Sequence, residues 1–117
     1  MTDADGAWAA GLFEGEGTVG CGKSGIRLQL AMCDEDIVRR WGDVVGAGRI
    51  RGPYGPHGVG TKPQWHWGVY AADDVEAIYI RFRPWLGERR LKQFEEAFEQ
   101  RREQVKSRRP PQERLGA

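Results

Sequence analysis

The residues with the greatest chemical potential are two carboxylates, Glu14 and Glu16, within Ala7-Trp8-Ala9-Ala10-Gly11-Leu12-Phe13-Glu14-Gly15-Glu16-Gly17. The stretch reads as a helix. Both acids then lie beside the negative pole of its dipole, where a carboxylate is disfavoured by up to about 1 kcal/mol. Acid held in such a place asks for a cation. The same helix is shaped for two packed sides. Ala7, Gly11 and Gly15 recur at i, i+4 and i+8, so one face lacks bulk and would let a second helix backbone come close. Trp8 and Leu12, with Phe13 beside them, form an apolar stripe for the chain's own core.

Composition narrows what such a helix could serve. A chain of 117 residues with five tryptophans can fill one core and leaves no room for a second repeat. No apolar run approaches the ~20 residues of a membrane span, and no charged, apolar, small-residue leader opens the chain. A soluble, intracellular protein is expected, in cytoplasm, nucleoid or organelle. Cys21 and Cys33 are the only cysteines and fit a reducing compartment. With His57 and His66 they match no usual zinc spacing. The net charge of +1 excludes a general polyanion glue, yet it conceals an uneven distribution. Lys23, Arg27, Arg49, Arg51 and Lys62 sit in the strand-like middle of the chain, whereas acids such as Asp34, Glu35, Asp36, Asp73 and Asp74 fall mostly on helices. A near-neutral total can hide one basic face.

The elements that must position these residues follow from periodicity. Residues 1–6 read as a polar lead-in with Asp5 as a cap, and the glycines at 15 and 17 offer a left-handed exit from the helix. A strand starts near Thr18, turns at Lys23-Ser24 between glycines, and returns as Ile26 to Met32 with strict alternation. Asp34 is placed to cap a helix carrying Ile37, Val38, Trp41, Val44 and Val45, which stops at Gly46. Ala47 to Arg51 forms a short strand, Gly52 to Pro63 an irregular loop, and Gln64 to Tyr70 a fourth strand. A helix from Ala72 to about Phe82, capped by Asp73 or Asp74, carries Val75, Ile78, Tyr79 and Phe82. Pro84 breaks it, and a last helix runs from about Glu88 to Lys106 with Leu91, Phe94 and Phe98 inward. The result is a single α+β domain over residues 1–106, in the order α-β-β-α-β-β-α-α, with a basic, disordered tail at 107–117.

Ala9 to Gly17, AAGLFEGEG, resembles the signature nonapeptide of the LAGLIDADG homing endonucleases, with the central Gly-Leu, both acidic positions and the closing glycine in register. The element order agrees with that fold, as does Pro84 to Gln93, which resembles the segment after the family's third helix. The resemblance implies a single-motif, homodimeric type whose antiparallel four-stranded sheet forms a DNA-binding saddle. It implies that the acid before the last glycine, Glu16, binds the catalytic divalent metal, with the Gly15 carbonyl as a backbone ligand. Here glutamate replaces the usual aspartate. Mg²⁺ is the implied ion, or another hard divalent cation such as Mn²⁺. A basic residue near the scissile phosphates is implied at Arg89 or Arg90, with Lys92 as a third choice. Asp34 occupies a position that orders water in the family, although a helix cap explains it as well. Ala7, Gly11, Glu14 and Gly15 are implied at the dimer interface.

A strand ribbon fits the major groove, where Arg pairs with guanine and Gln with adenine. Arg27, Gln29, Arg49, Arg51, Gln64 and His66 alternate outward and are the candidate base readers, with Lys23, Lys62 and the tail on phosphate. The function these features imply is site-specific cutting of double-stranded DNA at a pseudo-palindromic target, with no membrane role. A cleavage-inactive regulator of the same fold is the alternative, and an RNA splicing maturase a more distant one in which RNA would be the partner.

Overall fold

Thr2 starts the first helix. Its Oγ1 accepts from the Asp5 backbone N–H at 3.1 Å, and the Asp5 carboxylate accepts in return from the Thr2 N–H. This reciprocal cap makes α1 run over Asp3–Glu16, so the expected lead-in is helical and Asp5 is the cap's partner rather than the cap. The structure is a computed structural model that describes residues 2–56 and 58–108.

Four strands follow in two hairpins: β1 Gly17–Gly22, β2 Gly25–Met32, β3 Arg49–Tyr54 and β4 Gln64–Val69. They pair antiparallel in the order β1-β2-β4-β3, so the second strand of each hairpin lies in the middle. The helices α2 (Glu35–Val45), α3 (Ala72–Phe82) and α4 (Glu88–Arg108) complete an α+β fold, with a single 3-10 turn, Arg83–Trp85, between the last two.

The core lies between one sheet face and the helices. Ile26, Leu28, Leu30, Trp67 and Val69 point into it from the sheet, as alternation requires. They meet Val38, Trp41, Val75, Ile78, Phe82 and Phe94 from the helices. Phe13 anchors α1 at the centre, stacked 5.9 Å from Trp41, whose ring meets the edge of Trp67 at 5.2 Å. The buried stripe of α1 is therefore Gly6, Ala9, Ala10 and Phe13. Trp8 and Leu12 are only half-buried on its flank, and Trp8 instead carries the Arg40 guanidinium 4.0 Å above its ring.

Other boundaries differ from expectation for local reasons. The chain leaves α1 through an extended Gly17, φ −81°, rather than through a left-handed turn. Glycine is needed there because a Cβ would lie 2.3 Å from the Phe13 ring. Asp34 holds the N-cap position of α2 but makes no side-chain capping bond, and Ala71 rather than Asp73 or Asp74 caps α3. Strand β3 continues past Arg51 to Tyr54 through a register shift. Gly52 permits this by taking φ +133° where a Cβ would meet the Gln64 carbonyl at 2.8 Å, and Pro53 is tolerated because β3 is an edge strand. Ser107 and Arg108, expected in the tail, end α4. His57 and the remaining tail, 109–117, lie outside the described residues.

Candidate functional site

The outward face of the sheet is built by register. Thr18 stands opposite Gln29, Gln29 opposite Gly68, and Gly68 opposite Arg49, so one row crosses all four strands. A second row joins Ala31, His66 and Arg51, and Tyr54 pairs with Gln64 beyond the bulge. Because the side-chain period is two, these residues share the face opposite the core. All of them but Gln64 floor a groove of about 820 Å³, whose lining includes Thr18, Gln29, Arg49, Arg51, Tyr54 and His66. Glu16 and Asp74 line the same groove, so acid from two helix ends faces a floor bearing two arginines.

Aromatic rings shape that floor. Tyr54 and His66 lie 4.8 Å apart, centroid to centroid. Gln29 Nε2 donates to the Tyr70 hydroxyl at 3.2 Å, and Tyr70 covers Gly68, where a Cβ would sit 2.8 Å from that hydroxyl. Gly68 thus leaves space for the ring. Of the expected readers, Gln29, Arg49, Arg51 and His66 are brought together with Glu16. Arg27 lies across β1 against Gly20 and Gly22, Lys23 tops the β1–β2 turn, and none of Lys23, Arg27, Lys62 and Gln64 lines the groove. The hairpin is braced from behind by α4: Gln104 donates to the Gly22 carbonyl, and Arg108 donates to the Lys23 carbonyl at 2.7 Å.

The two acids of α1 have different fates. Glu16 is exposed at the groove. Glu14, expected against a neighbouring copy, turns instead into its own chain, where Oε1 accepts from the Gly87 N–H at 2.8 Å and Oε2 lies 3.4 Å from Arg90 Nε. Arg90, a candidate for direct contact with phosphate, is 6% exposed, and Nη2 donates to the Glu14 carbonyl at 2.8 Å. The physical reason is charge at the helix pole: the last carbonyls of α1 lack helical partners, and a guanidinium satisfies one while countering the dipole. Arg89 and Lys92 are exposed. Asp34 is exposed at the start of α2 and does not line the groove.

The bare stripe of α1 is open. Gly11 and Gly15 are exposed, a Cβ at either would meet nothing within 4 Å, and Ala7 is half-buried. Among the described residues the donors of one chain do not make up a complete metal site. No group of three or more His, Cys, Asp or Glu that could hold an ion occurs among the described residues, and Glu16 brings a single carboxylate. A hard divalent ion takes about six oxygens. The donors of one chain therefore fit such an ion only if a second copy and a bound phosphate supply the rest.

Thr18, Tyr54, Tyr70 and Asp74 also line the groove and carry no direct site signal in the sequence. Thr18 reads as a strand start, Tyr54 lies in a Gly-Pro stretch, Tyr70 reads as an outward strand residue and Asp74 as a helix cap. The alternation of Thr18 opposite Gln29 was the one available signal.

No family model matches the chain, and no curated protein matches it. Solved structures do. The homing endonuclease I-CvuI in complex with its target is similar over 80% of this chain and 62% of its own, at 13% identity and a TM-score of 0.61. I-CvuI on the I-CreI target, with Mg present and the DNA not cleaved, is similar over 80% of this chain and 65% of its own, at 14% identity and a TM-score of 0.64. The group I intron-encoded homing endonuclease I-CeuI complexed with DNA is similar over 80% and 51%, at 17% identity and a TM-score of 0.58. The chain thus spans less than two thirds of the length of these proteins.

Proposed function

From the premise that this chain has the fold of the LAGLIDADG homing endonucleases, we propose that it is a metal-dependent, site-specific DNA endonuclease that works as a homodimer. The observation that carries this reading is the opening of Glu16 onto the groove floored by Gln29, Arg49, Arg51 and His66. A carboxylate set against the helix dipole beside a row of base-reading side chains is what strand scission at a chosen sequence requires. The similar proteins are solved on DNA, which supports a duplex as the ligand.

In this reading Gln29, Arg49, Arg51 and His66 meet base edges in the major groove, while Lys23, Arg27, Lys62 and Gln64 fall at its margins, chiefly on phosphate and sugar. Two copies pack α1 against α1 along Ala7, Gly11 and Gly15, which brings two Glu16 carboxylates and two Gly15 carbonyls to the twofold. Those donors would hold Mg²⁺ or Mn²⁺, whose chemistry when bound is to lower the pKa of water and to screen charge on the leaving oxygen. Arg89, which is exposed, supplies the cation for charge growing on the phosphate. The twofold makes the target pseudo-palindromic.

The test is a selection for cutting from a randomised duplex library with Mg²⁺ present, repeated with Glu16→Gln. Cutting by the wild type and none by the variant is the expected result. A non-cutting regulator draws support from Glu16 itself, a glutamate where the resembled signature has aspartate. Tight binding to a recovered duplex with no scission in any divalent ion would establish that second reading.

A further inference from the structure

Among the described residues Arg90 is the one buried charged side chain, and its surroundings are unusually specific. Its Nη2 donates to the Glu14 carbonyl at 2.8 Å, Nε lies 3.4 Å from Glu14 Oε2, and Nη1 donates to Gln93 Oε1 at 2.9 Å. Its Cζ lies 5.3 Å from the Phe13 ring centroid. Glu14 Oε1 meanwhile accepts from the N–H of Gly87 at 2.8 Å, and the Gly87 carbonyl accepts from the Leu91 N–H, the first bond of α4. A Cβ at Gly87 would lie 2.5 Å from Glu14 Oε1, so only glycine lets the carboxylate reach the backbone there. The negative end of α1 and the positive end of α4 are therefore fastened to each other by one carboxylate and one guanidinium.

Two exposed groups lie next to that fastening in the sequence. Glu16 follows Glu14 by two residues in the last turn of α1, and Arg89 directly precedes Arg90 in the first turn of α4. We propose that the Glu14–Arg90–Gly87 clamp is a positioning device for strand scission, which sets Arg89 and Glu16 in register across the junction of the two helices. The proposal rests on the endonuclease reading above. Neither Glu14 nor Arg90 touches substrate; each acts through the neighbour it places. Loosening the clamp by a fraction of a turn leaves the sheet floor intact but displaces the cation from the phosphate, and about 1 Å of misplacement costs about 100-fold in rate.

A comparison with a second helix-end arginine, read against melting temperature, separates this from ordinary stabilisation. Arg81, which is exposed, makes one bond of the same kind, donating from Nη2 to the Val45 carbonyl at 3.2 Å at the end of α2. Arg81→Gln and Arg90→Gln remove the same charge and the same kind of helix-end bond. Both are measured for melting temperature, for affinity toward a duplex recovered from the library, and for single-turnover cutting at saturating protein. Arg90→Gln is expected to keep its affinity and to cut about 100-fold more slowly, whereas Arg81→Gln cuts at the wild-type rate. Glu14→Gln, which keeps an acceptor for Gly87, is expected to fall between. Equal cutting by Arg90→Gln and wild type overturns the clamp while leaving the endonuclease reading standing, and so does an equal loss in Arg81→Gln. If Arg90→Gln does not fold, Glu14→Gln against Arg81→Gln decides by the same criterion. A wild type that binds duplex and never cuts removes the endonuclease reading, and the clamp's catalytic role goes with it.

Discussion

At the scale of single residues, the sharpest contrast is between neighbours that share a chemistry and differ in surroundings. Arg89 and Arg90 are adjacent guanidiniums, yet one is exposed and the other is 6% exposed and bonded to the end of α1. Burial commits Arg90 to the fold, so the proposed function assigns the cation at the phosphate to Arg89. Arg89→Gln should leave duplex affinity close to wild type and slow cutting by about 100-fold, the loss typical of one transition-state contact, in single-turnover assays. An unchanged rate would move the role to Lys92, the other exposed base in that turn. Gly17 presents the opposite case, a residue whose value is the side chain it lacks. Its extended φ suits any residue, but a Cβ would collide with the buried ring of Phe13. Gly17→Ala should therefore lower stability by roughly 1–3 kcal/mol, read as a drop in thermal midpoint, because the core around Phe13 has no slack to yield. The same change displaces the backbone beside Glu16, so activity should fall more than stability alone explains.

Among the elements, alternation carried most of what the sequence disclosed. Ile26 to Met32 and Gln64 to Tyr70 declare their faces residue by residue, and the structure places those faces as read. Signals that depend on distant partners were not available. The acceptor role of Glu14 toward Gly87 spans 73 residues, and nothing local distinguishes it from an acid waiting for a second subunit. The true start of α1 was hidden because its capping box uses Asp5 where glutamate or glutamine is the usual partner. Strand β3 looked finished at Gly52 because glycine and proline are poor strand formers, whereas an edge position next to β4 tolerates both. The continuation matters, since it brings Tyr54 onto the floor beside His66. On that floor base readers and phosphate holders should separate experimentally. Arg51→Ala should cost about 1–3 kcal/mol of duplex binding and relax preference at one base position. Lys62→Ala, off the groove lining, should weaken all duplexes alike and reduce the slope of log affinity against log salt by about 1. If the two variants behave identically in a binding selection read by sequencing, the sheet face is an electrostatic surface and not a reader.

For the whole molecule, the proposed function makes the acidic centre half of a site. Glu16 is exposed at the end of α1, and that helix shows its barest face to the outside, with open space over Gly11 and Gly15. Glycine in the middle of a helix costs roughly 0.5–1 kcal/mol relative to alanine, so two exposed glycines weaken α1, and among the described residues nothing approaches within 4 Å of where their Cβ atoms would lie. Close approach of a second backbone is the compensation that glycine alone permits. The expectation for Gly11→Arg follows from both facts. Within one chain a Cβ at position 11 meets nothing within 4 Å and arginine improves helix propensity, so the folded protomer should persist with its circular dichroism unchanged. Between two chains the added guanidinium occupies the space of the opposing helix, so sedimentation should change from dimer to monomer and cutting of both strands should disappear. A protomer that keeps its fold while losing both its partner and its activity is the outcome expected of an interface along this stripe. A wild type that sediments as a monomer on its target duplex, or a Gly11→Arg variant that stays dimeric and active, would place the second set of metal donors elsewhere and dissolve the twofold arrangement.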